Sequence, residues 1–389
     1  MPTRPFRAAD LDDAQFCIAA ARVLQSADDE DADDMAGLLL FAAAEPLMRS
    51  IRQEIGNEHL SVESIRRDAA AQGFGGDVFS ANIYDRFGFH LDELETVVEK
   101  LQVPLVVRIK RDRFTGEECV LLLLRRLRTP GTLLSLTREA GRSISQISLA
   151  SNWAVRFIRR RWAHLVDERS FTDWAPHFRA FADAFSRAGL PLKNLIGFID
   201  GKLWKIARPG KFQKIMYSGH KRIHGIKTQG IIFPNGLQPY PFGPVNGSRH
   251  DGFLLRESGI LELMAEVCND LGENFILFGD SAYPRDKYLW AMYKEVGGVM
   301  PAWQAVFNAD MSPERVAVEW GFGKVVSLWP FLDVRNNMKV LRMNVQTWIE
   351  AAFVLTNMHT CLYGSAVSRK YGLGRPNLDA YMSGNGQHN

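Results

Sequence analysis

The sequence predicts an α/β domain in its C-terminal half, preceded by an all-α region. Two observations predict it. From residue 195 onward the chain contains short apolar runs, LIGFID at 195–200, GIKTQGIIF at 225–233 and FILFG at 275–279, set off by Gly, Pro or Asp, as strands usually are. Before residue 195 the apolar residues instead recur every three or four positions, the spacing of helices that bury one face.

The elements follow in order. Residues 1–82 read as a helical N-terminal extension with an acidic loop. Leu38, Leu39, Phe41, Ala42, Leu47 and Ile51 keep the helical period within 35–55, SADDEDADD at 26–34 is a solvated acidic run, and GFGGD at 73–77 is a break. Residues 83–170 form a helical region. Two helices are expected over 84–128, with Leu91, Leu94, Val97, Val98 and Leu101 on one face and Pro104 ending the first. Residues 131–166 read as helix, tight turn, helix. Leu133, Leu134 and Leu136 supply the first apolar face, Gly141 breaks the chain, and Ser143 with Gln146 forms a capping box. Ile147, Ala150, Ala154, Phe157 and Ile158 give the second helix its buried stripe. This is the layout of a helix-turn-helix, and equally of two ordinary packed helices.

Residues 171–366 are the α/β domain. GIKTQGIIF and GLQPYPFG (236–243) read as strands joined at Pro234-Asn235. Residues 251–270 read as one or two helices. Residues 313–329 read as a helix with Ser312 as N-cap and Pro313 at the first position. Residues 345–363 are a last apolar helix. The stretch 367–389, rich in Gly, Asn and Ser, reads as a flexible tail.

Apolar residues make up 46% of the chain and charged residues 23%, an ordinary globular balance, and the formal charge of +3 does not by itself point to a polyanion. The distribution is uneven. Lys202, Lys205, Arg208, Lys211, Lys214, Lys221, Arg222 and Lys227 face one acid, Asp200, within 200–227. Such a cluster is a candidate set of phosphate contacts; the plainer reading is a solvated face. Cys17, Cys119, Cys268 and Cys361 are scattered, so neither a zinc site nor a disulfide framework is expected, and a reducing compartment suits them. The first residues lack an apolar signal-peptide core, and no run of about 18 apolar residues predicts a membrane span.

Three acids carry the candidate chemistry. Asp200 closes LIGFID and Asp280 closes FILFGD, both at strand ends, where α/β sheets commonly bind ligands. Glu319 lies on an apolar helix between Val318 and Trp320, where an unpaired buried carboxylate is expensive. Carboxylates from distant segments suit Mg²⁺ or Mn²⁺, and two such ions can hydrolyse a phosphodiester. Each acid alone has a plainer role: a turn residue for the two aspartates, and a partner for Arg315 one turn back in the case of Glu319.

Four stretches in order, FIDGKLWKIARPG, YSGHKRIHGIKTQGIIFPNGLQPYPFGPVNGSRHDGFLL, FILFGDSAYP and RVAVEWGFGKV, resemble the DDE-type nuclease domain of PIF/Harbinger transposases and their domesticated relatives. The resemblance covers residues 125 to 330 and runs more loosely to 365. The upstream GRSISQISLASNWAVRFI is similar to the helix-turn-helix preceding that domain. The resemblance implies an RNase H-like fold in which Asp200, Asp280 and Glu319 are the catalytic acids and hold two Mg²⁺ or Mn²⁺ ions. It implies hydrolysis of DNA, followed in a working transposase by strand transfer. His250-Asp251 matches the family's His-Asp pair, making Asp251 a supporting residue; an Asp there also suits a helix start. Lys202, Lys205, Lys211, Lys214, Lys221 and Arg222 would meet DNA phosphates. A Myb-like accessory protein, a homodimer and the nucleus are the implied partners and location. The family's usual Arg after the Glu is Trp320 here, so Arg315 or Lys324 would have to stand in for it. The resemblance also admits a domesticated, non-catalytic DNA-binding protein that keeps the fold.

Overall fold

The computed structural model describes residues 60–384, apart from 73–75, 296 and 298. The helix expected within 35–55 and the acidic run at 26–34 lie outside them. The helical part opens with α1 (Val62–Gln72), α2 (Gly76–Phe87) and α3 (Leu91–Lys100). A short antiparallel hairpin, β1 (Val107–Ile109) and β2 (Asp112–Phe114), follows where only helices are expected. Lys110 takes a positive φ of 57° at its turn. Strands of three residues carry too little alternation to stand out in the sequence.

Thr115 caps α4 (Gly116–Arg128) by accepting from Glu118 N. This helix is buried from Glu118 to Leu124 and forms the middle of the helical layer. Next come α5 (Leu134–Ala140) and α6 (Ile144–Arg161). Gly141 turns the chain at φ 60° and the Ser143–Gln146 capping box has both its bonds. Ile147, Ala150, Ala154 and Ile158 are buried as their spacing predicts, whereas Leu134 is 64% exposed and leaves Leu136 to anchor α5.

Two further helices, α7 (Arg169–Thr172) and α8 (Phe178–Arg187), lead into the sheet. Its strands are β3 (Leu195–Lys205), β4 (Tyr217–Ser218), β5 (Ile223–Ile232), β6 (Phe242–Asn246), β7 (Ile276–Gly279) and β8 (Leu289–Ala291), with the one-turn helix α9 (Gln213–Met216) just before β4. The order is β4-β5-β3-β7-β8, with β6 also on β5. The β5 and β6 pairings are antiparallel, while β3–β7 and β7–β8 are parallel. Between β6 and β7 run α10 (Asp251–Glu257) and α11 (Ile260–Leu271), separated at Gly259, whose φ is 62°. After β8 come α12 (Ala302–Met311), α13 (Val316–Leu328), α14 (Val345–Tyr363), α15 (Ala366–Lys370) and α16 (Leu378–Ser383). Nearly every residue of α14 is buried, as expected of a helix apolar on all sides. No described helix is long and apolar enough to cross a membrane.

Three expectations are corrected. The strand expected over 236–243 forms at 242–246 instead. Pro239 and Pro241 cannot donate to a ladder, and the buried stretch before β6 bonds elsewhere: Asn357 on α14 accepts from Gln238 N and donates to Gln238 O, both at 3.0 Å, and Ser170 Oγ accepts from Tyr240 N at 2.7 Å. Ser312 does not cap α13; it closes α12, and α13 starts only at Val316. The stretch read as a flexible tail carries α15 and α16, and Tyr371, Tyr381 and Met382 are buried.

Candidate active site

The sheet brings Asp200 and Asp280 together. β3 and β7 run parallel with Phe198 opposite Phe278. Two residues beyond that pair, the Asp280 carboxylate comes near enough for its charge to act on Asp200. Asp280 lies just past the end of β7 and is held in its turn: its Oδ1 accepts from Ala282 N at 2.8 Å and its carbonyl from Tyr283 N at 3.2 Å. The Tyr283 ring packs where a Cβ on Gly279 would stand, 2.9 Å away, so the glycine before the acid lets the turn close.

Helix α13 covers the face to which Asp200 points. Asp200 pairs with Gly230 across β3–β5, and directly opposite residues share a face. A Cβ on Gly230 would lie 2.6 Å from the Phe322 ring. Arg315, Glu319 and Phe322 follow at i, i+4 and i+7 along one side of α13. The Arg315 guanidinium acts on Asp200. Glu319, expected to be buried, is exposed at the margin of this stripe.

Asp251 begins α10 and sits by the next residue of β3: its Oδ1 is 2.2 Å from where a Cβ on Gly201 would be. Successive strand residues face opposite sides, so Asp251 lies on the other face from Asp200. There it bonds Lys227 Nζ at 2.9 Å, with both side chains largely buried.

Electrostatics tie these groups into one cluster. Burial raises the Asp200 carboxyl to about 6; the Gly201 N–H and Arg315 oppose the shift, while the Asp280 and Asp251 carboxylates add to it. The same three aspartates add to the strong upward shift that burial gives Tyr283. The Tyr283 hydroxyl is buried with no hydrogen-bond partner among the described residues. Neighbouring oxygen ligands that disfavour one another's charge, beside an orphaned hydroxyl, fit a hard divalent cation in donor chemistry. Closure is incomplete: among the described residues no three His, Cys, Asp or Glu side chains converge closely enough to hold a metal ion.

The Asp200 shift has a measurable consequence. Its folded value is near 6 and its unfolded value near 4. Between these, the folded chain binds more protons than the unfolded chain, so stability falls as pH rises through the window, and the full penalty stands above it. Asp200→Asn is expected to stabilise the metal-free protein by about 1–3 kcal/mol at pH 7.5 and not at pH 3.5. Denaturant unfolding with a chelator at the two pH values measures this.

Of the two proposed substitutes for the family's Arg, Arg315 acts on the Asp200 charge and Lys324 is engaged elsewhere. Lys324 Nζ donates to Thr360 Oγ1 and Gly364 O at 2.8 Å each, and burial lowers it to about 7. Trp320 is 41% exposed on the far side of α13 from Phe322, with Lys370 Nζ 5.6 Å over its ring.

The expected phosphate contacts divide. Lys202 is half-buried over the Trp204 ring and Lys205 pairs with Asp333 at 3.3 Å. Lys211, Lys214, Lys221 and Arg222 are exposed on the arm between β3 and β5. Arg315, Lys227 and Tyr283 had only weak sequence signals. Arg315 sits one turn before Glu319, Lys227 ends the basic segment, and Tyr283 lies in the FGDSAYP turn.

No curated protein and no solved structure matches the chain. The stretch that holds most of the sheet, the four acids and the basic arm does match a known family: residues 199–357 fit the family model described as DDE superfamily endonuclease.

Proposed function

We propose that this chain is a divalent-metal-dependent DNA nuclease of the transposase type, built on an RNase H-like domain. The observation that carries this reading is the approach of Asp200, midway along β3, to Asp280, just past the end of β7, beneath the helix that Arg315 opens and that carries Glu319. The strand order supports it: antiparallel β6, β5 and β3, then parallel β7 and β8. In this reading Asp200 and Asp280 hold the metals and Glu319 is the third acid. Arg315 steadies the Asp200 carboxylate, and Asp251 is kept in place by Lys227 from the opposite face. Bound Mg²⁺ or Mn²⁺ would supply an activated water and neutralise the leaving oxygen. Lys211, Lys214, Lys221 and Arg222 hold the phosphate backbone, an affinity that falls with salt. The α5–turn–α6 unit contributes to choosing the DNA site. The resemblance adds a Myb-like partner, a dimer holding two DNA ends, and action in the nucleus.

Purified full chain is expected to nick supercoiled plasmid with Mg²⁺ or Mn²⁺ and not with a chelator. One observation favours a second reading, a non-catalytic DNA-binding protein on the same fold: Glu319 is exposed and the acids do not close into a three-ligand group. Plasmid binding without nicking in either ion would select that reading.

A further inference from the structure

We propose that the arm between β3 and β5 carries an apolar wedge that enters the base stack of bound duplex DNA, with Phe212 at its point. This rests on the DNA reading above and adds to it a deformation of the duplex. The motivating observation is a surface that is basic and apolar at once. Phe212 is 63% exposed, Ile215 43% and Tyr217 40%, three large apolar residues within six positions. Lys211, Lys214, Lys221 and Arg222 are exposed on the same arm.

Phe212 combines two unfavourable features. Its ring is in water, and its backbone is left-handed, at φ 61° and ψ 25°, a conformation rarely taken by bulky residues. Strain of this kind persists where the surrounding structure imposes it, often at ligand contacts. The chain on either side of Phe212 is anchored. Ile206 N donates to His224 O at 3.1 Å, Ala207 N to Met338 O at 3.0 Å, and Ser248 N to Ile215 O at 3.3 Å. The arm is thereby tied to the body of the domain at its start and at α9. Phe212 is the residue just before α9 and Ile215 lies three residues on, so both exposed side chains belong to the same short turn.

Charge selects the occupant. Residues 201–250 contain no Asp or Glu, so the arm suits a polyanion. A polyanion with an apolar interior is a stacked duplex: cations meet its phosphates, and an apolar side chain slips between base steps and partly unstacks them. The arm leaves from the end of β3, the strand that carries Asp200, roughly 17 Å along it from that acid, so unstacking would occur a few base steps or more from the acid pair.

The test uses full chain and short duplexes that carry 2-aminopurine at successive steps. Wild type is expected to brighten the analogue at one step. Phe212→Ala is expected to lose that signal and bind roughly 10-fold more weakly with an unchanged salt slope, and Phe212→Trp to keep both. Lys211→Ala with Lys214→Ala is expected to lower the salt slope by about 2 and to keep the signal of the complex that forms. An analogue that brightens equally with Phe212→Ala overturns the wedge while leaving the DNA reading standing. Loss of self-association in Phe212→Ala, with the DNA signal unchanged, assigns the patch to a second copy of the chain and also overturns it. A wild type that binds no DNA fails the functional reading itself.

Discussion

Asp280→Asn is expected to remove divalent-dependent DNA cutting by a factor of roughly 10³ or more and to leave salt-sensitive binding unchanged. The amide keeps an oxygen where Oδ1 accepts from Ala282 N, so the turn after β7 survives and only the charge is lost. Asp280→Ala removes both and should cut no better. Plasmid nicking and fluorescence anisotropy, read on the same preparations, separate the two steps. Cutting that survived Asp280→Asn would remove Asp280 from the centre. Glu319→Gln is the companion measurement. Because Glu319 is exposed, its replacement should alter stability by no more than about 0.5 kcal/mol, so a lost activity would report chemistry rather than unfolding.

The second large effect is on stability. Arg142 occupies the turn between α5 and α6 and is nearly buried, and Glu118 on α4 is fully buried. Arg142 Nε and Nη2 donate to the two Glu118 oxygens at 2.7 and 2.9 Å. Nη2 also donates to Arg113 O at 3.0 Å, and the guanidinium lies 4.6 Å over the Phe114 ring. Arg142→Met leaves the Glu118 carboxylate buried without this partner, a change that costs about 3–5 kcal/mol. Removing both, as Glu118→Leu with Arg142→Met, should cost much less, because no charge is then left stranded. Denaturant midpoints for the two single variants and the double give the coupling directly. A single variant as stable as wild type would show that the turn is held by its capping box and glycine alone.

The acids were legible in the sequence because their positions follow from local pattern. An apolar run that stops at Gly-Asp marks the end of β7 as expected, whereas β3 runs on past Asp200 to Lys205, so the first acid sits mid-strand and not at a strand end. The capping box at Ser143 was legible for the same reason, since its partners are three residues apart. What was not legible depends on distant segments. The bonds from Asn357 to Gln238 span 119 residues and hold an extended stretch that reads as a strand but pairs with a helix side chain. Glu319 looked buried because its neighbours are apolar, yet helix periodicity sets it at the margin of the stripe formed by Val318, Phe322 and Val325. Lys227 read as one cation among eight, and only the fold shows that it is paired with Asp251.

The aromatic seam beneath the sheet decides where this protein can be divided. Phe178, Phe181 and Phe185 on α8 meet Phe233, Phe275 and Phe198, and Phe185 also meets Tyr371 beyond α15. The matched stretch 199–357 starts after α8 and four residues into β3, and it stops inside α14. Expressed by itself it would lose Phe178, Phe181, Phe185 and Phe198 and leave Phe233 and Phe275 open to water, a recipe for aggregation. The stretch that matches the family is therefore smaller than the unit of folding, and a soluble fragment must begin upstream of Phe178 and extend past Tyr371.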